Sequence, residues 1–455
     1  MRDQRPISDI EADVLVVGGG AAGVAAATTA ARQGVSVVLL ERYGFCGGGA
    51  VASLSGTVCG LYFAQESDNA RPKPLVGGFA AEFVARLEER GGITQPIRYG
   101  KTFTRTHDPL VWREVGDSFV EHPNIRVVYH ALVTEVLTEG GERIAGVVAY
   151  TKQGKLQVRA RLTVDASGDA DVAAMAGLET AGDGEAVQNP TMIFRLLGVD
   201  VTRFLAKHGR DAILGAETAE LIRTLDDRGE YRLPRSKVFL FPTPRPGELL
   251  CNCTRILGRD GRDLDPLRFE DLTEAEVQGR LQVREYARFI RDHIEGCDRS
   301  YVNDTGVQVG IRQTRQIRGV SMLRNEDVVS GRKRGSGIAR SAWPIEMHRG
   351  TAPKLTWLFD DFYEVPYECF VPEHGESLLV AGRCLAAESE AMASARVTAQ
   401  CFSYGHAIGH AAAIAVQEGV APRAIDPGLP GGICRSSRPR ARDRSCPIRR
   451  SGGRH

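Results

Sequence analysis

Short runs of apolar residues recur along the chain, and most are closed by glycine or another residue that favours turns. The runs at 13–17 and 35–40 predict two buried strands, with an alanine-rich helix between them. Later runs predict a meander of four short strands and then two further strands, at 125–129, 132–137, 144–150, 156–160, 162–166 and 377–383. Strands that alternate with helices in this way indicate an α/β fold.

Helical patterns fill several segments between these strands. Residues 79–90 carry apolar positions on one face, and residues 272–294 form a longer and more polar helical pattern. A helix rich in small residues follows the last strand; we expect it to begin near 395–398, and it contains Gly405 and Gly409. Glycines inside a helix of small residues favour close packing against a neighbouring element.

Three glycines follow the first strand at the spacing G-x-G-x-x-G, namely Gly18, Gly20 and Gly23. Gly18 permits a tight turn, Gly20 lets the backbone approach a pyrophosphate, and Gly23 lets the helix pack closely on the strand. The helix N-terminus also offers unpaired N–H groups and a positive dipole end to phosphates. A packed Ala/Gly-rich helix without a ligand is the alternative, but the surrounding strand, helix and downstream acid favour a dinucleotide site.

Glu41 is that downstream acid, and it ends the second strand eighteen residues after Gly23. A carboxylate at this distance can accept hydrogen bonds from the hydroxyls of an adenosine ribose, and its charge would repel a 2′-phosphate. The sequence therefore predicts FAD or NAD as the ligand rather than NADP.

Further segments decide between FAD and NAD by resemblance. They are GGGAAGVAAA, ERYGFCGGG, DASGDADVAAMAG, GIRQTRQIRGVSMLRNEDVVSGRK, WPIEMH, VPYECFVP and LLVAGRCLAAESEAMASARV. Together they make residues 10–425 resemble the FAD-dependent oxidoreductases of the glutathione-reductase structural superfamily. The detail is most similar to the branch that includes heterodisulfide-reductase-A-like flavoproteins. The resemblance implies FAD as the cofactor, and it implies the fold more firmly than the reaction.

The resemblance also implies a domain organisation. The expected fold class is α/β, with a discontinuous Rossmann-like FAD-binding domain built from a parallel sheet and a β-meander. Its three pieces are residues 10–60, 124–187 and 371–427. A partly helical insertion at 61–123 and a mixed α+β substrate or cap domain at 188–370 would interrupt it. Ligand sites in such proteins lie between domains.

Cofactor contacts are implied along all of these segments. The last helix would point its N-terminus at N1 and O2 of the flavin, where Arg396 would add a positive charge; a surface arginine is the alternative. Asp169 would lie near the ribityl or pyrophosphate group, unless it only bonds N–H groups of its own turn. The expected cofactor-binding residues are Gly18, Gly20, Ala22, Gly23, Glu41, Arg42, Gly47, Gly48, Asp165, Gly168, Asp169, Gly382, Arg383, Arg396 and Val397.

Arg312, Arg315 and His348 are the candidate catalytic residues in the second insertion. Arg312 and Arg315 are three apart, so on a helix they would share one face and could clamp a substrate carboxylate. A set of interdomain salt bridges is the alternative for these arginines. His348 suits acid–base work because an unperturbed histidine titrates near pH ~6.5, although a structural histidine is equally compatible with the sequence.

Cysteines and histidines give little support to other chemistry. Ten cysteines are scattered without a C-x-x-C pair, which predicts reduced, mostly buried thiols and no metal or iron–sulfur site. Cys46 lies beside the second glycine cluster, where a small buried thiol is favoured over a covalent bond to flavin. The next cysteine is Cys59, too distant in sequence for the redox pair of flavin disulfide reductases. His406 and His410 are four apart but have no third ligand.

Charge and composition narrow the function further. The 58 basic and 57 acidic residues nearly balance, which argues against a nucleic-acid partner. No apolar run approaches the ~20 residues of a membrane helix, and the start does not look like a secretory signal, so we expect a cytoplasmic protein without a membrane partner. Residues 428–455 hold eight arginines and one aspartate. This composition favours a disordered or aberrant basic tail over an RNA- or membrane-binding arm.

These observations predict an FAD-dependent oxidoreductase that holds FAD noncovalently. The expected reaction is hydride transfer between N5 of the flavin and a small organic substrate. Two alternatives stay open at this point: a flavoprotein subunit that passes electrons to an iron–sulfur protein partner, and an FAD-binding protein without catalytic activity.

Overall fold

The computed structural model of the chain describes residues 8–67, 69–182, 188–348, 350–352 and 354–428. In these ranges the strands, numbered β1 to β19 in chain order, are Ser8–Val17, Val37–Leu40, Ile97–Tyr99, Thr102–Thr104, Ile125–Val128, Leu132–Glu139, Arg143–Thr151, Gly154–Asp165, Thr180–Ala181, Phe194–Leu197, Phe239–Pro242, Glu248–Asn252, Tyr301–Thr305, Gln316–Ile317, Gly337–Ser341, Ile345–Met347, Lys354–Thr356, Tyr363–Pro366 and Leu378–Val380.

The helices, numbered α1 to α10 in the same way, are Ala21–Arg32, Gly78–Glu89, Pro109–Val120, Asp171–Met175, Val201–His208, Ala216–Asp227, Phe269–His293, Asn325–Val329, Ser389–Ala395 and Thr398–Glu418. The helices expected at 79–90, at 272–294 and from about 395–398 are therefore present with small shifts at their ends, as α2, α7 and α10.

The largest sheet has seven strands and carries the first glycine motif. Its parallel part has the order β5-β2-β1-β8, with β19 also paired to β8, and the antiparallel meander β6-β7-β8 continues it on one side. The prediction of separate strands at 156–160 and 162–166 is wrong. Both belong to β8, because β1 pairs along it on either side of the exposed Arg161 without a turn.

Helices α1 and α10 lie against each other next to this sheet, and two glycines let them approach. A Cβ added to Gly405 would lie 2.0 Å from the carbonyl oxygen of Ala22, and one added to Gly409 would lie 2.5 Å from that of Ala26. Contacts this short leave room only for hydrogen, so the small residues of α10 serve close packing as expected. This packing fixes the N-termini of both helices relative to β1.

A second sheet, of order β11-β12-β10-β13, covers a separate hydrophobic core formed by residues 192–309. The long helix α7 packs on this core, and Gly279 within it faces Met192 and Ile256. Residues 317–371 instead contribute to the core of the large sheet. The fold is thus α/β with a parallel sheet, a meander and an inserted mixed region, as the sequence predicts. The exact domain boundaries stay a prediction.

The basic tail lies outside the described residues, except for Gly428 at its start. Across the part of the chain that the structure describes, none of the helices combines the length and apolar character that a membrane span requires.

Candidate active site

The turn between β1 and α1 shows why each of its glycines is needed. Gly18 has a φ of +102°, and a Cβ there would lie 2.5 Å from the carbonyl oxygen of Ala166. A Cβ on Gly23 would lie 1.8 Å from the carbonyl oxygen of Gly18, so this residue serves the packing of helix on strand. A Cβ on Gly20 would meet nothing closer than the Cα of Gly48, at 3.8 Å. The space over Gly20 is therefore open to a ligand.

Glu41 lies at the end of β2 and is 4% exposed. Its Oε2 accepts a hydrogen bond from the backbone N–H of Gly19 at 2.6 Å, and its Oε1 accepts one from that of Tyr43 at 2.8 Å. Burial raises the pKa of Glu41, although these two N–H groups act in the opposite direction. A carboxylate has about four acceptor positions, so two remain for the hydroxyls of a ribose.

One continuous cavity connects the glycine turn with the inserted region. Most of the predicted cofactor-binding residues line it: Gly18, Gly20, Ala22, Glu41, Arg42, Gly47, Gly48, Gly168, Asp169, Gly382, Arg383, Arg396 and Val397. Two of the predicted residues do not line this cavity. Gly23 lies beneath the turn, and the buried Asp165 accepts hydrogen bonds from Ser167 and from the backbone of Val172 at the start of α4.

The lining of this cavity offers groups that suit the separate parts of a flavin dinucleotide. The open space over Gly20 and the first N–H groups of α1 suit a pyrophosphate, and Glu41 suits the neighbouring ribose. At the other side of the cavity stands the N-terminus of α10, where Val397 and Thr398 line the wall. A second helix N-terminus suits the partial negative charge of a flavin pyrimidine edge.

Arg396 precedes this second helix N-terminus and also lines the cavity. Its Nη2 donates to Oε1 of Gln188 at 3.0 Å, while its buried Nε has no partner among the described residues. Burial lowers the pKa of Arg396 to about 10. The guanidinium is therefore held inside the protein with an unused donor, which a flavin oxygen or a substrate could accept.

Asp169 lies in the cavity wall and connects three segments of the chain through its hydrogen bonds. Its Oδ1 accepts hydrogen bonds from Thr314 at 2.6 Å and from Arg383 at 2.7 Å. Arg315 donates to the backbone oxygen of Asp169 at 3.1 Å and forms an ion pair with Asp171 at 2.6 Å. Asp169 thus holds the neighbouring loops in place, in addition to lining the cavity.

The expectation that Arg312 and Arg315 share a helix face is wrong. Residues 311–315 are not helical, and Arg315 does not line the cavity. The two side chains instead go to different sides: Arg315 contacts Asp169 and Asp171, and Arg312 lies in the cavity wall. Spacing alone could not show this, since it depends on the conformation of the segment.

Several buried polar residues form the end of the cavity that faces the inserted region, which we call the cap-facing end. Arg312 donates to the backbone oxygen of Asn189 at 2.7 Å. Oε1 of Glu346 accepts a hydrogen bond from Tyr99 at 2.6 Å and lies 3.2 Å from Nε2 of His348. All four polar side chains, those of Arg312, Glu346, Tyr99 and His348, line the cavity. The structure therefore brings Arg312 and His348 together, as candidates at one site.

Burial sets the protonation states in this group. Burial, together with the positive charge of Arg312, lowers the pKa of His348 to about 3, so the imidazole is neutral near pH 7. Burial alone would raise the pKa of Glu346, but the neighbouring His348 and the hydrogen bond from Tyr99 lower it to about 2. Glu346 is accordingly a carboxylate at neutral pH.

Aromatic side chains surround the same end of the cavity. Tyr99 stacks on Trp343 with ring centroids 5.3 Å apart, and it meets Phe239 edge-on at 5.3 Å. Phe241 and Ile193 complete this apolar wall, which we call the aromatic wall. A small organic molecule could bury its apolar part here while its polar groups face Arg312 and His348.

Two further residues of this site, Glu346 and Tyr99, were not predicted from the sequence. Glu346 had a signal: it interrupts the apolar run of β16, and it stands two residues before His348, which places both on one face of an extended segment. Tyr99 had none, because its contact with Glu346 joins residues 247 positions apart.

The other sequence candidates lie away from this chemistry. Cys46 is fully buried and does not line the cavity; it accepts a hydrogen bond from Tyr129 at 3.4 Å, and burial raises its pKa to about 12. His406 shares a hydrogen bond of 2.9 Å with Thr29, and its ring lies 4.8 Å from that of His410. The described residues include no group of three or more potential metal ligands.

Several solved structures are similar to the chain at low sequence identity. A geranylgeranyl bacteriochlorophyll reductase-like protein from Thermoplasma acidophilum is 14% identical, with a TM-score of 0.47, covering 90% of this chain and 80% of that one. The p-nitrophenol 4-monooxygenase from Pseudomonas putida is 13% identical, with a TM-score of 0.46, covering 92% and 82%. A flavin-dependent brominase is 14% identical, with a TM-score of 0.47, covering 91% and 81%. No curated protein matches the chain significantly.

A family profile gives the assignment. The profile described as FAD dependent oxidoreductase matches residues 13–432, which is nearly the whole chain. The narrower branch of heterodisulfide-reductase-A-like flavoproteins stays a prediction. The cavity residues fit the cofactor that this family requires. The chain therefore belongs to the family of FAD-dependent oxidoreductases, and FAD is its cofactor.

Proposed function

We propose that this enzyme transfers a hydride between N5 of noncovalently bound FAD and a small organic substrate at the cap-facing end of the cavity. The observation that carries this proposal is the continuity of one cavity from Gly20 and Glu41 to Arg312 and His348. A substrate against the aromatic wall would share this space with the flavin. Bound FAD supplies the acceptor or donor of the hydride.

His348 is the residue we assign to proton transfer. Because Glu346 is ionised, its contact with Nε2 favours the neutral tautomer that carries hydrogen on Nε2. Nδ1, which is buried and has no partner among the described residues, then keeps its lone pair. In the direction of substrate oxidation, Nδ1 of His348 would accept the proton that leaves the hydroxyl or amino group of the substrate, while bound FAD would supply the acceptor for the hydride.

The arginines have separate roles in this proposal. Arg396 and the N-terminus of α10 would stabilise negative charge on the pyrimidine edge of the reduced flavin. Arg312, buried beside His348, would orient the substrate. Arg315 would act only through its contacts with Asp169 and Asp171, as a positioning residue.

Anaerobic reduction of the holoenzyme tests the proposal. Small organic compounds are added singly, and the flavin band is followed for bleaching. We expect at least one compound to bleach the flavin directly. Bleaching that requires a reduced iron–sulfur protein would instead support an electron-transfer subunit, and no bleaching with any donor would support a non-catalytic role.

A pair of histidine variants tests the assignment of the residue. His348→Gln should slow direct bleaching by about 10²-fold or more, because a positioned acid–base group contributes at least this much. His374→Gln changes an exposed histidine and serves as the control. Equal rates in the two variants would remove His348 from the proton-transfer step.

A further inference from the structure

A small side pocket adjoins the cap-facing end of the cavity, and Arg312 and His348 line both spaces. The side pocket is also lined by Arg235, Arg255 and Asn189, together with Thr254. Among its described lining residues there are three arginines and no carboxylate. The charged residues that line the side pocket are therefore all positive.

The arginines of the side pocket are held by neutral groups. Arg235, 3% exposed, donates from Nε to the backbone oxygen of Lys237 at 2.7 Å and from Nη1 to Asn252 at 3.0 Å. Its Nη2 is buried and has no partner among the described residues. Arg255 donates to the side chain of Asn189 at 2.8 Å. These contacts fix the guanidinium groups without pairing them with a carboxylate among the described residues.

Counter-charge is scarce around this cluster. Within the described part of the chain, neither Arg235 nor Arg312 forms an ion pair with a carboxylate; Glu346 is the buried carboxylate whose charge acts on both. Burial lowers the pKa of Arg235, and burial together with the charge of Arg235 lowers the pKa of Arg312. An uncompensated buried charge is unfavourable, and a bound anion would remove this cost.

We infer that the side pocket binds the carboxylate of an organic acid substrate, whose apolar body lies against the aromatic wall. This inference rests on the proposed function, since it names the substrate class of the same site. Nη2 of Arg235 is the unused donor for the carboxylate, and Arg312, which lines both spaces, would contact the carboxylate where the two spaces meet. His348 would then stand beside the carbon that exchanges hydride.

Calorimetric titration of the holoenzyme tests this inference with matched probes. The probes are acetate against acetamide, and benzoate against benzamide, because each pair differs in charge but hardly in shape. We expect at least one acid to bind tenfold or more tightly than its amide. Neither acid exceeding its amide would overturn the inference, and so would tighter binding of inorganic phosphate than of either acid.

Two variants locate the binding. Arg312→Gln should weaken binding of the acid by about 10- to 100-fold, the range expected for losing a hydrogen bond to a charged group. Arg223→Gln removes one half-exposed cation from the surface of α6, and we expect it to leave the binding of the acid unchanged. Equal weakening in both would overturn the inference. Arg235→Lys keeps the positive charge and serves as the control for a folding defect. Each variant must also keep the flavin content and the thermal midpoint of the wild type.

These measurements separate the inference from the proposed function. Binding of a carboxylate that depends on Arg312, without bleaching of the flavin by any compound, would support the anion pocket and contradict the hydride transfer. Direct bleaching by neutral compounds, with no preference for acids, would support the hydride transfer and contradict the anion pocket.

Discussion

Substitution of Gly20 tests whether the pyrophosphate of FAD lies on the first glycine turn. Gly20 is the N-cap of α1 with φ −71° and ψ −175°, a conformation that any residue adopts. A Cβ there would be 3.8 Å from the nearest protein atom, so Gly20→Ala creates no clash in the protein itself. The added methyl group would, however, occupy the space that the cofactor needs.

The expected effect can be set by the cost of overpacking. One methyl group forced into a filled site costs roughly 1–3 kcal/mol, which corresponds to a rise in Kd for FAD of about 5- to 150-fold. Gly20→Val, with two more methyl groups, should lose more. Gly23→Ala should behave differently, because its Cβ would lie 1.8 Å from the carbonyl oxygen of Gly18 and would disturb the fold.

Gly215→Ala is the matched control for this experiment. Gly215 is the N-cap of α6 with φ −67° and ψ 174°, and an added Cβ would meet nothing within 4 Å. It therefore repeats the loss of an N-cap glycine without touching the cavity. Titration of apoprotein with FAD and the thermal midpoint of the apoprotein give both readouts. Wild-type affinity in Gly20→Ala would refute a pyrophosphate site on this turn.

Three further predictions follow from single residues. Glu41→Ala should weaken FAD binding by about 1.5–3 kcal/mol and also lower the thermal midpoint of the apoprotein, since two backbone N–H groups lose their acceptor. Acid or heat should release yellow FAD from the wild type and from Cys46→Ser alike; colour retained by the wild type alone would indicate a covalent bond to Cys46. His107 is buried, neither of its ring nitrogens has a hydrogen-bond partner within the described part of the chain, and burial lowers its pKa to about 3. The unfolded chain then binds a proton below about pH 6.5 that the folded chain does not, so the free energy of unfolding should fall by about 2 kcal/mol between pH 8 and pH 5. Urea unfolding at both pH values should find this loss reduced in His107→Phe, and an identical loss would contradict it.

The cofactor side of the site could be predicted from the sequence because it depends on local patterns. Gly18, Gly20 and Gly23 are fixed by the chemistry of one turn, and Glu41 by the length of one helix and strand. Similarly, the start of α10 follows from its small residues and the glycine-closed strand before it. Each of these signals lies within about 30 residues of the motif it belongs to.

The substrate side could not be predicted in the same way, because it is assembled from distant segments. Tyr99 and Glu346 are 247 positions apart in sequence but share a hydrogen bond, and Arg312 and Arg315 do not share a helix face because 311–315 is not helical. Arg235 gave no signal in the sequence, because its importance lies in a buried Nη2 that has no hydrogen-bond partner among the described residues, and this depends on the packed environment.

A crystal structure of the holoenzyme would show whether one cavity holds FAD at one end and the substrate at the other. We expect adenosine ribose hydroxyls on Glu41, pyrophosphate over Gly20, and the isoalloxazine ring between the N-terminus of α10 and the pair of Arg312 and His348. An isoalloxazine ring directed away from Arg312 and His348, or adenosine bound elsewhere, would contradict it.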